Sequence, residues 1–82
     1  MRWTYQIRAI ARPRVLQRIA QVFEQQMMPL QRLVLEESGG TLEMKITVEA
    51  EEELARRVHA KLYKQLDVLH IELLAQQPLL MV

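Results

Sequence analysis

The 82-residue chain has no cysteine, which excludes a disulfide framework, a thiolate zinc site and a thiol nucleophile and agrees with an intracellular setting. It has little glycine, and its one Gly-Gly pair, Gly39-Gly40, lies between two strand-like runs. A phosphate-cradling loop needs its glycines between a strand and a helix, so none is present. No sign of charge dominates: 11 basic and 10 acidic residues are mixed along the chain and leave a formal net charge of +1. That balance argues against a broad nucleic-acid footprint. No apolar run approaches the roughly 18–20 residues of a membrane span. The opening MRWTYQIRA lacks the apolar core of a signal peptide, so the expected location is cytoplasmic, with no membrane partner. Rings are scarce too: Trp3, Tyr5, Phe23 and Tyr63 are all there are.

What is present is apolar patterning. Half of the residues are hydrophobic and 26% are charged, which with so few Gly and Pro identifies a folding chain rather than a disordered one. A single domain this short buries only roughly 60–65% of its unfolded surface, so its stability margin is thin and a partner would add to it.

Residues 3–10, WTYQIRAI, alternate: Trp3, Tyr5, Ile7 and Ala9 share one side, and Thr4, Gln6, Arg8 and Ile10 the other. Pro13 suits a first helical turn, and Val15, Leu16, Ile19, Ala20, Val22 and Phe23 then form a helix stripe ending near Gln26, before Pro29. LQRLVLEES (30–38) reads as a strand, Gly39-Gly40 as a tight hairpin, and TLEMKITV (41–48) as the cleanest alternating strand. In EAEEELARRVHAKLYKQL, Leu54, Ala55, Val58, Leu62 and Leu66 stack on one face of a second helix. Its early glutamates, later lysines and the Glu52–Arg56 and Glu53–Arg57 spacings suit the helix dipole and surface pairing. DVLHIELL (67–74) completes the order as a fourth strand.

Strand, helix, strand, strand, helix, strand with one hairpin and two right-handed crossovers specifies an α+β, ferredoxin-like βαββαβ plate. Its four-stranded antiparallel sheet should run 4-1-3-2 with both helices on one face, and Tyr5, Ile7, Ala9, Ile19 and Phe23 should lie in the core. The expected division is one domain over residues 1–75 and a short hydrophobic tail over 76–82. If Trp3, Leu42 and Leu69 face the helices, the open face collects Thr4, Gln6, Arg8, Ile10, Glu43, Lys45, Thr47, His70, Glu72 and Leu74. The remaining aliphatic side chains exceed what one small core can absorb and point to an assembly, with a homodimer expected.

Little of the sequence carries catalytic chemistry. His59 and His70 lie on different elements without a third convergent ligand, so no metal site is expected. Ser38 sits at the hairpin, where turn formation explains it. The carboxylates lie at a helix start or along strands, as solvated faces do. Arg8, Arg12, Arg14 and Arg18 form a modest basic strip, but a ferredoxin-like nucleic-acid binder carries rings on its open face, and the middle strand TLEMKITV has none. No enzyme activity, catalytic residue or bound cofactor is expected.

The element order and ARPRVLQRIAQVF (11–23) resemble an ACT domain, whose first strand runs into a loop and helix with the pattern Asp-x-Pro-Gly-x-Leu. RPRVLQRIAQVFEQQMMPLQRLVL, with LYKQLDVLHIEL further on, is similar to the short, single-domain small regulatory subunit of acetolactate synthase. The resemblance implies a noncatalytic chain that binds and activates the thiamine-diphosphate-dependent catalytic subunit in branched-chain amino-acid biosynthesis. Thiamine diphosphate, magnesium and flavin would then belong to that partner. It also implies an effector site for a branched-chain amino acid at Ala11, Arg12, Pro13, Arg14, Val15 and Leu16. Ala11 replaces the family's acidic or amide residue and Arg14 its glycine. An arginine crowds the space where a carboxylate would approach the helix amides, so binding there is weakened or lost unless Arg14 itself holds the carboxylate. The implied dimer joins two plates through first strands and helices into an eight-stranded sheet. Two other readings stand beside this one: a free-standing ACT module sensing a small amino acid, and a ferredoxin-like nucleic-acid-binding domain.

Overall fold

A computed structural model describes residues 1–76. The elements are β1 (Arg2–Ile10), α1 (Val15–Gln25), β2 (Leu30–Ser38), β3 (Thr41–Glu49), α2 (Glu52–Tyr63) and β4 (Val68–Gln76). The sheet order is β2-β3-β1-β4, which is the expected 4-1-3-2 read from the other edge, and all three pairings are antiparallel. The chain therefore adopts the ferredoxin-like plate. The tail expected over 76–82 begins on the last residue of β4, and from residue 77 onward it lies outside the described residues.

Period-two alternation decides the core. Trp3, Tyr5, Ile7 and Ala9 of β1 and Leu42, Met44, Ile46 and Val48 of β3 are buried against Val15, Ile19, Val22 and Phe23 of α1 and Ala55, Val58 and Leu62 of α2. Every expected core residue is there. The Tyr5 and Phe23 rings meet edge to face, with centroids 5.2 Å apart at 81°. Buried polar tips find partners: the Tyr5 hydroxyl donates to the Ala55 carbonyl at 2.7 Å, and the Trp3 indole N–H donates to the Ala50 carbonyl at 3.0 Å. These two bonds tie β1 to the start of α2.

Three expectations change. The apolar spacing places Leu66 on the α2 stripe, but the helix ends at Tyr63, and Gln65 N–H turns back onto the Leu62 carbonyl. Leu66 is left 69% exposed. The condition that Leu69 faces the helices is not met: Arg8 faces His70 while Ala9 faces Val68, so Leu69 is the extra residue of a β-bulge and lies 56% exposed. Its neighbours Ile71 and Leu73 keep the inward phase. The third change concerns assembly. β1 is paired on both sides and has no free edge, so a sheet cannot continue through first strands; only β2 and β4 are edges.

The edges differ. β4 has α2 over it, with Ile71 buried and Leu73 half-buried, whereas on β2 the residues facing core positions of β3 remain open. Leu33, opposite Ile46, and Leu35, opposite Met44, are 45% and 41% exposed.

Candidate functional site

The loop from β1 to α1 gathers Ala11, Arg12, Pro13, Arg14, Val15 and Leu16 at one corner of the plate. Backbone bonds fasten it to two other connections. Ile10 N–H donates to the Asp67 carbonyl in the α2–β4 turn at 2.8 Å, and Ala11 N–H donates to the Gly40 carbonyl in the β2–β3 hairpin at 2.8 Å. Three connections distant in sequence thus meet at this corner.

Pro13 does not take the first helical turn. Val15 N–H donates to the Arg12 carbonyl at 3.2 Å, and Arg14 has φ 72 and ψ −2, which is the geometry of a type II turn with Pro13 and Arg14 at its two central positions. Proline suits the first position because its φ is preset, and glycine suits the second because φ is positive there. Here an arginine occupies the glycine position. α1 begins only at Val15, and no side chain caps it.

Within the loop, Val15 is buried, Leu16 and Ala11 pack partly against the core, and the Arg12, Pro13 and Arg14 side chains are exposed. Val15 and Leu16 therefore anchor the corner, and only Arg12 and Arg14 offer polar chemistry to solvent.

Asp67 is the residue that sequence reasoning missed. Its side chain is only 5% exposed, with one carboxylate oxygen 3.2 Å from Arg12 Nη1 and the other 2.9 Å from Arg18 Nη2. Both oxygens are thus held by guanidinium groups, a charge-assisted arrangement that pins the loop to the α2–β4 turn. Asp67 itself has φ 74, a left-handed geometry that aspartate tolerates better than most residues. That tolerance was the available signal, but a pairing 49 positions from Arg18 leaves no periodic trace. Arg18 Nε is enclosed and has no hydrogen-bond partner. Arg14 takes part in none of the ion pairs among the described residues. The corner therefore presents one unpaired guanidinium beside uncapped helix amides, and an anionic ligand reaching Arg12 would compete with Asp67.

The open sheet face is paired and ring-free. Arg8 Nη2 donates to Glu43 at 3.0 Å, His70 lies 2.9 Å from Glu72, and the Thr4 and Thr47 hydroxyls are 3.3 Å apart. Trp3 and Tyr5 point to the helices, so no described aromatic side chain stands on that face to stack a base. Among the described residues, no group of three or more His, Asp or Glu side chains is arranged to hold a metal, and no helix is long and apolar enough to cross a membrane.

No family model matches the chain, and no curated protein matches it in sequence. Solved structures do match it in shape. The ACT domain of GTP pyrophosphokinase from Chlorobium tepidum superposes with a TM-score of 0.80 over 90% of this chain and 97% of that one, at 16% identity. The small subunit of acetolactate synthase from Thermotoga maritima superposes with a TM-score of 0.81 over 95% of this chain at 15% identity, and this chain spans 50% of its length. A homoserine dehydrogenase from Thiobacillus denitrificans matches with a TM-score of 0.74 at 16% identity over 88% of this chain and 16% of its own. Identities this low establish shape. The chain has the ACT-type βαββαβ fold.

Proposed function

We propose that the chain is a noncatalytic regulatory small subunit that binds and activates the catalytic subunit of acetolactate synthase. The observation that carries the reading is the superposition of nearly the whole chain on an acetolactate synthase small subunit, with the resembling stretch 11–23 at the β1–α1 corner. A regulatory chain needs no reacting groups of its own; it acts by binding one conformation of its partner better than another. Thiamine diphosphate, magnesium and flavin would be held by that partner.

The corner at 11–16 is the proposed effector position for a branched-chain amino acid. The Arg14 side chain stands where a carboxylate would approach the amides of Leu16 and Gln17, so the native chain responds weakly or not at all. A second reading, a free-standing ACT module sensing a small amino acid, draws support from the two-way overlap with the isolated ACT domain of a GTP pyrophosphokinase.

Reconstitution separates the two. Acetolactate formation by the matching catalytic subunit should rise saturably as the chain is added. Valine, leucine and isoleucine should change that activity little with the native chain and more with Arg14→Gly. If neither rate nor complex size changes as the chain is titrated, the subunit reading fails and the free module stands.

A further inference from the structure

Two cations of the open sheet face stand outside its ion pairs, and we propose that they mark where the chain docks on an acidic surface of the catalytic subunit it regulates. The identity of the partner rests on the regulatory-subunit reading; the chemistry of the surface does not.

The register lays the face out in rows. Arg32, Thr47, Thr4 and Leu74 stand side by side across the four strands, and Lys45 and Gln6 are neighbours in the next row. Together they line a shallow depression to which no carboxylate contributes among the described residues. Thr4, Thr47 and Gln6 are half-buried and form its floor, with the exposed Arg32 and Lys45 on the β2–β3 side and Leu74, 43% exposed, on the β4 side.

Neither cation is neutralised. Arg8 holds Glu43 and His70 lies against Glu72, whereas Arg32 and Lys45 take part in none of the ion pairs among the described residues. Glu36, opposite Glu43, is one diagonal step from Lys45, and the roughly 7–8 Å of such a step is too long for an ion pair. The floor donates as well. The Thr4 and Thr47 hydroxyls are 3.3 Å apart, and whichever of them donates, the other keeps its proton for a ligand. The Gln6 amide offers two more donors, so the depression suits carboxylates set beside an aliphatic group.

Shape decides what brings those carboxylates. A small-molecule site buries roughly 70–90% of its ligand, and a sheet face open on one side encloses nothing to that extent. A protein surface can lie flat on it, with its acidic side chains against Arg32 and Lys45 and an apolar one against Leu74. Complementarity of this kind fixes orientation and speeds encounter.

Calorimetric titration of the matching catalytic subunit with the full chain, at low and at high salt, tests the assignment. The double variant Arg32→Gln with Lys45→Gln should bind about tenfold more weakly and lose most of the salt dependence. Lys61→Gln with Lys64→Gln makes the same change of charge on α2 and the turn after it, and should leave both unchanged. Leu74→Ala should weaken binding equally at both salt concentrations, because its contribution is apolar. Glu36→Gln should tighten binding about twofold by removing a like charge near the partner's acids, which a misfolded variant could not do. Variants at 32 and 45 that bind like the native chain, or binding weakened instead by the changes at 61 and 64, overturn the proposal and leave the regulatory-subunit reading intact. So does a shift in self-association without a change in binding, which would give this face to a second copy of the chain. A native chain that does not bind the catalytic subunit at all refutes that reading and the proposal with it.

Discussion

Replacing Arg14 by glycine should make the protein more stable. Arg14 is held at φ 72, and a residue with a Cβ in that region costs roughly 1–2 kcal/mol relative to the right-handed one. Glycine removes the cost, while its freer unfolded chain returns about 0.4–1 kcal/mol of it. The net gain is about 0.5–1 kcal/mol, which in a domain this small raises the melting temperature by roughly 3–6 °C. Little else is lost, because the Arg14 guanidinium joins none of the ion pairs among the described residues. Arg14→Ala is the control: it discards the guanidinium but keeps the Cβ, and should stay within about 0.5 kcal/mol of the native chain. Urea unfolding of the three proteins, compared at equal slope, isolates the backbone term. Should Arg14→Gly prove no more stable than Arg14→Ala, the positive φ is not a source of strain and the reasoning fails.

Asp67→Asn keeps a residue that tolerates φ 74 but removes the charge held by Arg12 and Arg18. Because those guanidinium groups are 60% and 36% exposed, the loss should be about 1 kcal/mol rather than that of a fully buried pair, and it should shrink with added salt. A deficit that salt does not change would mean the carboxylate is not acting as a charge. Burial pushes the Tyr5 hydroxyl well above the ordinary tyrosine value of about 10, so the unfolded chain gives up this proton first. Its contribution is complete below about pH 10 and is lost as pH rises beyond, and Tyr5→Phe should remove that alkaline decline at a cost near neutrality of about 1 kcal/mol. Parallel stability curves for the two proteins up to about pH 11 would refute the assignment.

The elements that the sequence makes legible are those whose burial repeats regularly. β3 shows four core residues in strict alternation, and β2 and its Gly-Gly hairpin fall where turn chemistry puts them. Leu66 and Leu69 are misplaced because a helix end and a bulge each break the phase, and neither leaves a mark in a run as apolar as LDVLHIELL. The candidate loop is found from its proline and its position, but its turn is not, because the glycine that advertises a positive φ is an arginine here. Asp67 escapes altogether, since its role depends on two arginines brought to it only by the finished sheet. The strand order excludes pairing through β1 for the same reason: which strand becomes an edge is a property of the plate, not of any one segment.

The central place of β1 sets the order in which this protein can assemble. It precedes every other element in the chain, yet its neighbours in the sheet are β3 and β4, and β4 follows all the rest. During synthesis β2 and β3 can close as a hairpin as soon as both exist, while β1, the most buried strand, waits with Tyr5, Ile7 and Ala9 uncovered. Its second edge stays open until β4 arrives. Closure over such long stretches must be met before the contacts reward it, which slows folding and lengthens the exposure of an apolar strand. A chaperone that shields β1 as it emerges would serve this fold better than one that binds later.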